Sequence, residues 1–218
     1  MPDTINAAPF ARLAILGGFL LTAPLPALAQ SNLGSGFGLE ITPRGEQVLD
    51  LATGNTDLPQ GGTVRDNKTG VTVVASFITI KPGDSLSAEG ATLSTRLGGT
   101  LKAERLLYNQ KTANITAKGK LSYSDNRIKN LVAQTLTVDT KTGAVTASGQ
   151  VTASTPTLSA KQVVALPTKS VILLSGGASV KTFGKTVSGE QVLLNLVTGV
   201  AQTDAGAAAL APFAPYLK

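Results

Sequence analysis

Cysteine, histidine and tryptophan are all missing from this chain of 218 residues. Without cysteine, neither a disulfide framework nor a thiol nucleophile is available. Without histidine as well, the usual general base and the usual nitrogen and sulfur ligands of transition metals are gone. The 13 acidic residues are dispersed, and no two are placed to work as an acid and a base. Two tripeptides, Ser124-Asp125-Asn126 and Lys141-Thr142-Gly143, match parts of the serine β-lactamase signature. The Ser-x-x-Lys nucleophile that this chemistry requires is absent beyond residue 29. No catalytic residue, cofactor or metal site is therefore expected.

Long hydrophobic runs are scarce too. The one at the front, Leu13–Leu21, follows Arg12 and is broken by Pro24 and Pro26. It is shorter than the roughly 20 apolar residues of a membrane-spanning helix. With Ala27-Leu28-Ala29 behind it, residues 1–29 read as a secretory signal peptide cleaved near Ala29, an uncleaved anchor being the alternative. Charged residues make up only 15% of the chain, yet the net charge is +6. A basic protein exported across an inner membrane meets anionic lipids, glycolipid phosphates and wall polymers. No nucleic-acid partner is expected.

What is present is repetition. A seven-residue phrase occurs as Thr42–Val48, Val71–Phe77, Thr100–Leu106, Asn130–Leu136, Thr157–Val163 and Thr186–Val192. Its fourth residues, Gly45, Val74, Ala103, Ala133, Ala160 and Gly189, recur at intervals of about 29 residues, and such phase marks one structural unit stacked on itself. A glycine follows each of the first five at one constant offset: Gly61, Gly90, Gly119, Gly149 and Gly176. In the clearest unit, Thr100–Tyr108 suits a pleated surface, Asn109–Thr112 is a turn, and Ile115, Ala117, Gly119 and Leu121 alternate with polar residues. Two strands per unit over six units predict about twelve strands and no sustained helix. The third residue after each anchor is Val48, Phe77, Leu106, Leu136, Val163 or Val192, an apolar column expected to face a shared interior. The residue just after the anchor is mostly polar and is expected outside or on a rim.

The units read roughly A-E-x-L-x-Y-[ND]-x-x-T-[GA]-x-[AIV]-x-A-x-G-x-[VL]. Ala103-Glu104-Arg105-Leu106 with Tyr108-Asn109 and Ala117-Lys118-Gly119 carry this grammar. Val138-Asp139, Lys141-Thr142-Gly143 and Ala147–Val151 repeat it. Over about residues 70–204, and more loosely 42–70, the chain resembles the OstA/LptA family of periplasmic lipopolysaccharide-transport proteins. The resemblance implies an all-β, folded-over β-jellyroll of two splayed antiparallel sheets, periplasmic, with an apolar groove for the acyl chains of lipopolysaccharide or a related envelope glycolipid. It further implies end-to-end joining, to homologous jellyroll domains or to itself, through edge strands. It does not fix which envelope lipid is bound.

On this reading residues 30–41 are a flexible lead-in, 42–204 the repeat domain and 205–218 a flexible tail. The groove is expected to be lined by Phe77, Leu86, Leu106, Ile115, Leu136, Val145, Val163 and Ile172. Lys118, Lys120, Arg127 and Lys129, within the densest basic stretch, are the candidate contacts for lipid phosphates. The residue pattern alone fits a dry core between closed sheets as well as a splayed trough. It also leaves room for a ligand-free envelope protein that polymerises through its edges and, less well, for a parallel β-helix.

Overall fold

The structure, a computed structural model, describes residues 38–96 and 98–217. The expected signal peptide and most of the lead-in lie outside the described residues. Fifteen strands form one antiparallel sheet. They are β1 (Leu39–Pro43), β2 (Val48–Leu49), β3 (Thr56–Leu58), β4 (Gly62–Asp66), β5 (Val71–Ala75), β6 (Phe77–Lys81), β7 (Ser85–Ser94) and β8 (Thr100–Asn109). They continue as β9 (Asn114–Ser124), β10 (Leu131–Asp139), β11 (Val145–Ser154), β12 (Thr157–Leu166), β13 (Val171–Thr182), β14 (Lys185–Asn195) and β15 (Ala201–Gln202). The chain ends in α1 (Ala207–Leu210) and a 3-10 turn, Ala211–Tyr216. No helix among the described residues is long and apolar enough to cross a membrane.

The all-β, folded-over architecture expected from the repeats is present, but its two walls are halves of one sheet. From β7 to β14 each strand runs through a bend without interruption, with neighbours paired on both sides of it. Burial shows how the same face stays inside. A straight strand presents every second residue to one face. β8 buries Leu101 and Ala103, then Leu106 and Tyr108; β9 buries Ile115 and Ala117, then Leu121 and Tyr123. The even strands β8, β10 and β12 thus skip a step of three at the bend, and the odd strands β9, β11 and β13 a step of four.

The extra residue of each odd strand is a β-bulge. Lys102 pairs with Ser122 and Arg105 with Lys118, so β9 carries one residue more than β8 between those pairs. Gly119, Gly149 and Gly176 sit there with φ of +91°, +83° and +78°, in the left-handed region that side chains disfavour. A Cβ on each would strike the side chains of Glu104, Gln134 and Lys161, at 2.5, 2.5 and 2.8 Å. These are the residues that follow the anchors, so the constant offset from anchor to glycine records one contact repeated along the bend.

Two members of the expected inner column face outward: Val48 is 50% and Phe77 36% exposed. In the second unit the inward residues are Val73, Ala75, Ile78 and Ile80, which makes Ala75 the true counterpart of Ala103. The strand breaks at Ser76, whose N–H and hydroxyl donate to the Glu89 carbonyl at 3.0 and 2.9 Å. A slip of one residue in phase reverses the face. In the first unit the chain leaves the sheet after Pro43, and Val48 returns only in the two-residue edge strand β2.

The tail is also not loosely held. Phe213 is fully buried on the outer face of the sheet with Ala144, Val164, Leu166, Leu173 and Leu193. The Tyr216 hydroxyl lies 3.1 Å from that of Thr142.

The bend yields a graded test. Gly177 (φ +70°) has open space where a Cβ would stand, so Gly177→Ala should cost about 1 kcal/mol of backbone strain. At Gly61 (φ +70°) a Cβ would stand 2.0 Å from the Ala75 carbonyl oxygen, and Gly61→Ala should cost about 3 kcal/mol or more. Urea unfolding of both variants measures the difference; equal costs would refute a backbone-limited bend.

Candidate functional site: the interior and its seam

Seven of the eight expected groove residues lie side by side on the inner face of one wall. Leu86, Leu106, Ile115, Leu136, Val145, Val163 and Ile172 are all buried, within one apolar cluster that runs from Leu39 to Leu194. Phe77 lies outside it. The cluster is almost wholly aliphatic, with Tyr108 and Tyr123 as its aromatic members. In this structure the walls are closed on each other, and among the described residues no groove is open along them.

The walls are held together differently on their two sides. At the bend they share a continuous backbone ladder. Opposite it, the hairpin turns of one wall meet the loops of the other along a seam that no backbone hydrogen bond crosses among the described residues. Side chains close it. The Tyr108 hydroxyl donates to Asp66 Oδ2 at 2.5 Å, the Arg127 guanidinium to the Pro167 carbonyl, and the Thr182 hydroxyl to the Gly199 carbonyl at 2.6 Å.

Between the first two of these clasps is a cleft of about 250 Å³. Its floor is apolar (Val71, Val138, Val145), and Arg96 and Arg127 flank its mouth with the hydroxyls of Thr69 and Thr140. Two carboxylates also line it, both committed to turns. Asp125 accepts from the N–H groups of Arg127 and Ile128 at 2.8 and 2.7 Å, and from the Tyr123 hydroxyl at 3.0 Å. Asp139 accepts from Lys141 and Thr142 at 2.8 and 3.1 Å. The two lactamase-like tripeptides are therefore turn sequences. The one ion pair among the described residues is the exposed Lys111–Asp84 contact at 2.7 Å, so neither arginine has a carboxylate partner there.

Burial raises the Asp66 carboxyl, but hydrogen bonds from Tyr108 and from the N–H groups of Thr69 and Lys68 outweigh it and hold the group below its ordinary value. Burial, then the Asp66 acceptor, pushes the Tyr108 hydroxyl up to about 12. Burial, then the charge of Asp125, raises Tyr123 as well.

Of the four expected phosphate contacts, only Arg127 lines the cleft. Lys118 projects from the outer face, paired with Arg105 and Thr135. Lys120 is at the bulge, and Lys129 is an exposed loop residue whose N–H binds the Thr155 carbonyl at 2.8 Å. The sequence reading missed Arg96, an isolated charge in the turn between β7 and β8, and Asp66, which resembles any turn aspartate. The tyrosine of the repeat grammar was the one signal for Tyr108.

No family model matches the chain, and no curated protein matches it. Solved structures do. One is the crystal structure of LptH, the LptA homologous periplasmic component of the conserved lipopolysaccharide transport device from Pseudomonas aeruginosa. It is similar over 53% of this chain and 85% of its own, with a TM-score of 0.47 and 11% sequence identity.

The Tyr108–Asp66 clasp predicts an acid dependence. Because the Asp66 value is lowered on folding, its contribution is present above the ordinary carboxylate range and is lost as pH falls through the folded value. Tyr108→Phe removes one of the lowering bonds. The stability gap between wild type and Tyr108→Phe should be widest near pH 7 and narrow below about pH 4. Urea unfolding across that range checks it; a gap independent of pH would contradict a clasp to a charged carboxylate.

Proposed function

We propose that this protein is a periplasmic carrier. It takes the acyl chains of lipopolysaccharide, or of a related envelope glycolipid, between its two walls and passes the lipid towards the outer membrane without chemistry. The observation that carries this reading is an aliphatic interior, continuous along the stack, whose walls are joined on one side by side chains alone. Burial of each acyl methylene contributes about 0.8 kcal/mol, so part of one chain repays the loss of a few clasps. The closed cleft falls short of the roughly 300–1,000 Å³ of ordinary ligand pockets, so the walls part to admit a chain. Leu86, Leu106, Ile115, Leu136, Val145, Val163 and Ile172 are the contacts for it. Handover runs through the ends of the stack. β15 covers β14 only at Leu193 and Leu194, so much of the β14 edge is unpaired and suits a strand of a homologous jellyroll or of a second copy.

A second reading, a structural envelope protein that polymerises through these edges and holds no ligand, is favoured by the closed interior. One experiment separates the two. The chain has no cysteine, and Thr69 and Thr140 flank the Tyr108 hydroxyl from opposite sides of the seam. Cysteines at both positions, joined by a short bis-maleimide, lock the seam. Native mass spectrometry should show lipid bound to the unlinked protein and at least about tenfold less on the locked one. Absence of lipid on both supports the scaffold; equal capture by both refutes admission through the seam.

A further inference from the structure

The middle clasp is built differently from the other two. Tyr108 and Thr182 are hydroxyl donors, whereas Arg127 spends a full positive charge on the neutral carbonyl of Pro167. Arg96 lies at the same cleft mouth, its side chain laid across the turn between β4 and β5. A Cβ on Gly70 (φ +71°) would come within 3.0 Å of its Nε. Both guanidiniums lack a carboxylate partner among the described residues, and the two acids nearby are committed to turn N–H groups. Beneath them are Val71, Val138 and Val145, the start of the apolar interior. Two guanidiniums above an aliphatic floor, in ion pair with neither Asp125 nor Asp139 of the same cleft, complement a molecule with an anionic head and an apolar chain.

A guanidinium binds phosphate through two parallel N–H bonds, and such charge-assisted bonds are roughly twice as strong as bonds to a neutral acceptor. A phosphate at the cleft therefore outcompetes the Pro167 carbonyl for Arg127. We infer that Arg96 and Arg127 form a binding site for the phosphate of a lipid, and that occupying it releases the Arg127–Pro167 clasp so that the seam opens where the chain must enter. This rests on the carrier reading and adds to it a ligand class and a trigger.

Spin labels on cysteines at Lys129 and Lys169, exposed residues on the two sides of the seam, report the opening as a longer dipolar distance. Dihexanoyl phosphatidic acid should lengthen it. Inorganic phosphate should do so only at concentrations at least about tenfold higher, for want of a chain, and octyl glucoside should not. In Arg127→Gln the distance should be long without ligand. In Arg96→Gln it should start short and need at least about tenfold more phosphatidic acid. Should Arg127→Gln fail to fold, Arg96→Gln carries the test alone. Octyl glucoside acting as readily as phosphatidic acid, or an Arg96→Gln response equal to wild type, would overturn the inference. Phosphatidic acid found bound by native mass spectrometry with an unchanged distance would overturn the trigger and leave the carrier standing. No bound amphiphile of any kind would remove both.

Discussion

Everything in this fold depends on a sheet that bends without losing its hydrogen bonds. The strands cross the fold line with pairs intact on either side, because β9, β11 and β13 each spend one extra residue there and that residue is led by a glycine in left-handed conformation. The inner face is thereby continuous from wall to wall. The bend is also the strong side of the molecule, since opening it would break backbone ladders. The seam is the weak side, held by a tyrosine, an arginine and a threonine. Mechanical polarity of this kind follows from topology before any ligand is considered, and it is why the interior and its point of access are one problem.

The outside of the sheet is uneven in a way that inner packing does not require. One cross-strand row reads Leu107, Thr116, Thr137, Thr146, Val164, Leu173 and Leu193. Its Val164, Leu173 and Leu193 end is covered by Phe213, its threonines are half-buried, and Leu107 at the other end is exposed. The C-terminal segment is thus part of the domain, placed where the sheet would otherwise show apolar surface on both faces.

Much of this was legible in the sequence because the repeats impose it. Hairpins, turns and the glycine column follow from a period of two punctuated once per unit, and six copies average out local accidents. The failures are local accidents. The phrase of the second unit places its anchor at Val74 instead of Ala75 because Val71, Thr72, Val73 and Val74 offer no charged residue to fix the face, and that shift of one turns Phe77 inward. The tail reads as loose because alanine and proline carry no pattern; Phe213, with a patch waiting on three distant strands, and the Tyr216 hydroxyl beside Thr142 tie it down. Arg96 was invisible for a related reason. A single charge in a turn gains meaning only when a loop from the next unit is folded against it.

The distance between the two ends of such a sheet is set by counting. Neighbouring strands lie about 4.8 Å apart, so each hairpin adds roughly 10 Å along the stack. Duplicating or deleting one unit would move the ends by that increment while each remaining strand kept its bulge and its neighbours. Reach is therefore a quantised property of this architecture, and can change by gene duplication without renegotiating a single contact of the interior.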